Sequence, residues 1–122
     1  MINFLIVGAG GFIGASLRYG LGLVSKLCPL GTSYPIGTFL ANIIGAFCIG
    51  MAFEFFSKMG SMGSSLQLFV MVGVLGGFTT FSSFSLETIN LISEGKILIA
   101  ATYAVASMII CFIGVFLGKL II

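Results

Sequence analysis

Four apolar stretches, Phe4–Val24, Tyr34–Ser57, Leu66–Ile92 and Ile97–Ile121, take up most of the chain. As helices, each is long enough to cross a hydrocarbon core about 30 Å thick at about 1.5 Å per residue. The connections, Ser25–Ser33, Lys58–Ser65 and Ser93–Lys96, are too short to hold a soluble domain. Of the 122 residues, 59% are hydrophobic and 7% are charged, and the mean hydropathy is +1.29. A water-soluble fold of this size has too little interior for that apolar surface, whereas a bilayer solvates it. The expectation is an all-α membrane protein, with residues 1–122 forming one four-helix transmembrane domain in contact with lipid.

Several chemistries are excluded early. Cys28, Cys48 and Cys111 are odd in number and have no paired spacing, which argues against a disulfide framework or a zinc site. Without histidine, and with only Glu54, Glu87 and Glu94 as acids, metal or acid–base catalysis has little to work with. A net charge of +2 is too small to suggest nucleic acid. The first stretch lacks a basic leading region and carries Arg18, so it does not read as a cleaved signal. Gly8-Ala9-Gly10-Gly11 resembles a dinucleotide-binding turn. That motif needs a second strand ending in an acid about twenty residues on, and here the first acid is Glu54. Helix packing accounts for these glycines better. Small residues four apart recur at Gly10/Gly14, Gly37/Ala41/Gly45, Gly73/Gly77 and Gly114/Gly118, which lets helix backbones approach closely.

The third stretch departs from a plain membrane helix. Gly76-Gly77-Phe78-Thr79-Thr80-Phe81-Ser82-Ser83-Phe84-Ser85 joins a glycine pair to a dense run of hydroxyls. Glycine costs about 1 kcal/mol in a helix interior, and hydroxyls compete for backbone hydrogen bonds. Leu66–Ile92 would be roughly 40 Å long unbroken, more than a bilayer core needs. A break is expected near Gly76–Thr80, at about mid-membrane. Irregular backbone survives there only where protein or a polar cavity satisfies the freed groups. The alternative is a glycine pair that only admits a neighbouring helix.

Polar side chains recur along the other stretches. Arg18 lies toward the end of the first, where it either snorkels or sets a positive potential at an anion path. Pro35 suits a first helical turn, and Thr38 and Asn42 then share one helical face. Asn42 either locks helices together or lines a path. Tyr103, Ser107 and Cys111 form a further stripe. Lys58 and Lys119 fall on one side of the four crossings, and Lys26 and Lys96 on the other. Orientation follows a Lys/Arg excess in short loops, and a chain without one is able to insert both ways and pair about an in-plane two-fold axis.

With Arg18, Gly37-Thr38-Phe39-Leu40-Ala41-Asn42, the Gly76–Ser85 run and Glu87, the chain resembles the small fluoride channels (the Fluc or CrcB family) over nearly its whole length. The resemblance implies a dual-topology antiparallel homodimer in the bacterial inner (plasma) membrane, exporting fluoride passively through two pores. It also implies a structural sodium ion held by the backbone carbonyls of Gly76 and Thr79. Asn42, Phe81 and Phe84 fall on the family's pore positions. Thr80, Ser83 and Glu87 match the polar face of the same helix, and Tyr103 and Ser107 match the track on the fourth. Thr38 and Arg18 complete the expected fluoride pathway. Cys111 departs from the pattern, standing where the family has a serine, and a thiol is a much weaker hydrogen-bond partner.

The chemistry agrees with the resemblance. Fluoride is small and tightly hydrated, so a path must replace its water with donors. Hydroxyls, an amide, an arginine field and the positive edges of Phe rings supply them. Glu87 is the exception in an anion path, to be explained by a vestibule position, protonation or pairing. Two other classes fit less well. A small multidrug-type proton-coupled exporter would need an acid in the first span, and an accessory subunit would not need the hydroxyl-rich break.

Overall fold

A computed structural model describes all of residues 1–122. It is all-helical, and four helices are long and apolar enough to cross a membrane: Ile2–Ser25, Ile36–Lys58, Ser65–Ser93 and Ile97–Ile121. The expected bounds hold to within about two residues. We label Ile2–Ser25 α1 and Ile36–Lys58 α2. The third span is two helices, α3 before its break and α4 (Phe81–Ser93) after it. α3 opens with Ser65–Gln67, winds as a π-helix over Leu68–Leu75 and ends with Gly76–Phe78. The last helix, Ile97–Ile121, is α5. A short 3-10 turn, Pro29–Thr32, leads toward α2. Pro35 caps α2 rather than entering its first turn.

The break falls later than the glycines. Gly76 keeps helical angles (φ −63, ψ −39). The chain becomes extended at Thr79 (φ −84, ψ 158) and Thr80 (φ −154, ψ 122). The Thr80 hydroxyl then caps α4 by accepting from Ser83 N at 3.1 Å. Gly77 has a different task. A Cβ there would meet Gly11 O at 2.7 Å and Ala15 N at 3.2 Å. Both sequence readings are therefore realised within a few residues: Gly77 admits α1, and Thr79 and Thr80 interrupt the helix.

Small residues set the packing elsewhere too. A Cβ on Gly10 would meet Gly73 Cα at 2.9 Å, and one on Gly14 would overlap Val74 O. On the other side of the bundle, Gly50 and Gly118 press against Val115 and Phe47 respectively, joining α2 to α5. Only 16 of the 122 residues are buried, so most apolar side chains, Phe12, Leu98 and Phe112 among them, face outward. For a chain of this hydropathy the outward surface is a lipid surface, consistent with a multi-pass membrane protein. Lys58 Nζ donates to Ile122 O at 2.9 Å, which puts the α2–α3 loop and the C-terminus at the same end of the bundle.

Candidate functional site

The site is built around the Thr79–Thr80 break. An extended pair inside a helix strips four-residue hydrogen bonds from its neighbours, and each freed group needs a new partner. Asn42 on α2 supplies two of them. Its Oδ1 accepts from Thr80 N at 2.7 Å, and its Nδ2 donates to Thr80 O at 3.0 Å. Arg18 Nε donates to Gly77 O at 3.2 Å, so the guanidinium is turned to the break rather than spent wholly on snorkelling. Thr79 is tied back by its N and its Oγ1, both donating to Leu75 O at 3.0 Å.

Three carbonyls are left over, and Phe78 O is one of them, because no Ser82 N bond reaches it. In a continuous helix Gly76 O would accept from Thr80 N, but that donor goes to Asn42. Thr79 O would accept from Ser83 N, but that donor goes to the Thr80 hydroxyl. No three His, Cys, Asp or Glu side chains converge anywhere in the chain. A cation held here would therefore be held by main-chain oxygen, and Gly76 and Thr79 are among the residues, with Phe78, whose oxygens have lost their helical donors.

About two turns beyond the break, Glu87 joins three helices. Thr38 Oγ1 on α2 donates to its Oε1 at 2.7 Å, and Tyr103 OH on α5 donates to its Oε2 at 2.8 Å. The carboxyl is paired through hydroxyls, with no cation bonded to it. Thr38 and Asn42, one turn apart on α2, thus both reach across to α4 or its cap.

Aromatic rings run along the same line. Phe81 and Phe84 have centroids 5.5 Å apart, and Phe84 lies 5.2 Å from Tyr103. Tyr34 continues the series, edge-on to Tyr103 at 5.4 Å and to Phe39 at 5.8 Å. Phe84 and Tyr103 are buried, whereas Phe81 is 77% exposed on the protomer surface. A cavity of about 350 Å³ beside Phe81 and Phe84 is lined also by Asn42, Thr80, Ser107 and Cys111. Ser107 is buried and its hydroxyl has no hydrogen-bond partner, an expensive arrangement unless something polar occupies the space. Arg18, Thr38, Ser83 and Glu87 line a second cavity of about 400 Å³. A third, of about 220 Å³, opens beside Tyr34, Glu87, Asn90 and Lys96.

The residues singled out in the sequence thus come together in two adjoining groups, one around the break and one around Glu87. Tyr34 was not among them. It sits outside the helices, after the 3-10 turn, and its ring position depends on contacts that no periodicity reveals. Burial pushes its phenol up, so it stays protonated at neutral pH.

Comparison with known proteins places the chain in a family. The family model described as CrcB-like protein, Camphor Resistance (CrcB), matches residues 5–119. The Fluoride-specific ion channel FluC of Ruminiclostridium cellulolyticum is 45% identical over 122 residues, covering 99% of this chain and 92% of that protein. Fluoride-specific ion channel FluC 2 of Nitrobacter hamburgensis is 41% identical, covering 96% of this chain and 94% of its own length. The FluC of Elusimicrobium minutum is 44% identical, covering 95% and 90%. With four membrane-length helices, one of them broken at a hydroxyl-rich run, and a family match across nearly every residue, this chain belongs to the CrcB family.

Proposed function

We propose that the protein is a fluoride-selective channel that lets fluoride leave the cell passively, and that it works as an antiparallel, dual-topology homodimer with two pathways in the bacterial plasma membrane. The observation that carries the reading is the unpartnered, buried Ser107 hydroxyl at a cavity whose walls include the Phe81 and Phe84 rings and the Asn42 amide. Those groups offer hydrogen to a small anion and no fixed negative charge. The relatives named Fluoride-specific ion channel FluC, similar over nearly the full length, support the same reading.

In this account Arg18 raises the anion's local concentration at one cavity, with Ser83 as the hydroxyl donor beside it and Thr38 on the same wall giving its proton to Glu87. Ring edges of Phe81 and Phe84, the second Nδ2 hydrogen of Asn42 and the Ser107 hydroxyl then replace lost water in turn. Tyr103 and Thr38 converge on Glu87, which orients both hydroxyls by accepting from them. Chloride, larger and less able to make short contacts, gains less from the same groups. A sodium ion on the Gly76 and Thr79 carbonyls would supply fixed positive charge at the break and satisfy oxygens that have lost their helical donors. An exposed Phe81 in the ring series fits a chain whose path is completed by a second copy. The multidrug-exporter reading lacks its essential acid, because α1 contains none.

The test is ion efflux from liposomes containing only this purified protein. Fluoride efflux with chloride retained is the expected result, and equal efflux of both, or of neither, refutes the reading. Pairing is tested separately. In a cysteine-free variant, cysteines at Lys26 or Lys58 should each label partly from both membrane faces, and one-sided labelling of each would exclude dual topology.

A further inference from the structure

We propose that Tyr34 is a positioning residue of the pathway: its ring holds Tyr103 in place at the loop end of the ring series, and so holds the phenol that Tyr103 gives to Glu87. The inference deepens the fluoride-channel reading and rests on it. Tyr34 is placed by local chemistry. The Pro29–Thr32 turn ends just before it, Tyr34 N donates to Leu30 O at 2.9 Å, and Pro35 follows with fixed φ. The ring is thereby set edge-on to Tyr103, with centroids 5.4 Å apart and planes at 89°. It also stands edge-on to Phe39, at 5.8 Å and 85°. Perpendicular rings at these separations attract specifically, edge to face, beyond the area they bury.

Tyr103 needs such a brace. Its ring is fully buried, and its one polar atom makes a single directed bond to Glu87, so a small rotation of the ring moves the hydroxyl off its acceptor. Phe84 touches Tyr103 from the break side at 5.2 Å, and Tyr34 from the loop side. Tyr34 and Glu87 also line the same outer cavity, so the brace stands where an ion would leave or enter the series. The contact that matters is made by the ring, and the Tyr34 hydroxyl is dispensable to it.

The experiment measures fluoride efflux from liposomes for the parent, Tyr34→Phe, Tyr34→Leu, Tyr103→Phe and the double variant Tyr34→Leu/Tyr103→Phe, each checked as a folded dimer by size exclusion. Tyr34→Phe should conduct within about twofold of the parent, and Tyr34→Leu should lose about tenfold, the upper end of what edge-to-face ring contacts supply. The decisive readout is non-additivity, which a general packing role would not produce. Once the Tyr103 hydroxyl is gone, Tyr34→Leu should cost less than about twofold more. If Tyr34→Leu does not fold, Tyr34→Met takes its place in the same cycle. Parent-like flux in the ring-less variant, or full additivity with Tyr103→Phe, overturns the inference and leaves the channel reading standing. A parent that passes no fluoride overturns both.

Discussion

The two halves of the third span are neighbours in sequence and opposites in construction. α3 is almost wholly apolar from Leu66 to Leu75 and is fitted to α1 backbone against backbone, through Gly10, Gly14, Gly73 and Gly77. α4 alternates rings and hydroxyls from Phe81 to Ser85 and reaches its neighbours through side chains, with Glu87 bonded to Thr38 and Tyr103. The first kind of contact tolerates no added atom. The second tolerates shape changes but depends on particular donors. One half is scaffold and the other carries the polar chemistry, and the two extended threonines between them mark the change.

That contrast is sharpest in how each half responds to a single added or removed group. The largest effect is expected at the scaffold. A methyl on Gly14 would overlap Val74 O and crowd Phe78 N, both rigid backbone. Gly14→Ala should therefore destabilise the protein by about 3 kcal/mol or more, read as a lowered midpoint of thermal or denaturant unfolding in detergent. Gly8 has open space around it, so Gly8→Ala in the same helix should be neutral or slightly stabilising. Equal costs at the two positions would mean that α1 does not pack as described.

A smaller loss is expected at the hinge. Asn42→Ala removes both partners of Thr80's backbone and leaves them without protein partners, at about 1–3 kcal/mol. Asn42→Asp keeps an acceptor for Thr80 N but sets an oxygen against Thr80 O, so it should not rescue. Rescue by aspartate would show that only the acceptor matters.

The smallest effect belongs to Thr79→Ser. The serine keeps the hydroxyl bond to Leu75 O and both main-chain oxygens, and loses only the methyl that sits over Gly45. Stability should fall by about 1 kcal/mol or less. Fluoride flux, and any dependence of it on sodium, should be nearly unchanged. A strong loss of flux would point to a side-chain role for Thr79 in place of the carbonyl role proposed for it.

The sequence made the spans, the small-residue stripes and the existence of a break readable, because each follows from periodicity, length and composition. Its position was only partly readable. Gly76 and Gly77 are the obvious weak points, yet they remain helical, because a glycine destabilises a helix without supplying an alternative partner. Thr80 supplies one with its hydroxyl, and Asn42 supplies two more from another helix. The π-winding of Leu68–Leu75 had no signal in a run of apolar residues. Asn42 was readable as either a lock or a path residue, and its two bonds to Thr80 show the lock while leaving one amide hydrogen free. The two partners of Glu87 come from two other helices, and only tertiary structure brings them together.

The central claim is that ions pass along α4 and not along α3. It is tested most directly by fluoride efflux from liposomes carrying Phe84→Ile, Phe81→Ile, Phe69→Ile or Phe116→Ile at matched protein content. Each replacement roughly keeps volume and removes a ring edge, on α4 for the first two, on α3 for Phe69 and on the outward face of α5 for Phe116. The account expects Phe84→Ile and Phe81→Ile to lose flux by about tenfold or more while remaining folded, and Phe69→Ile and Phe116→Ile to conduct within about twofold of the parent. Parent-like conduction in both α4 variants, or a loss at Phe69 as large as that at Phe84, would contradict it.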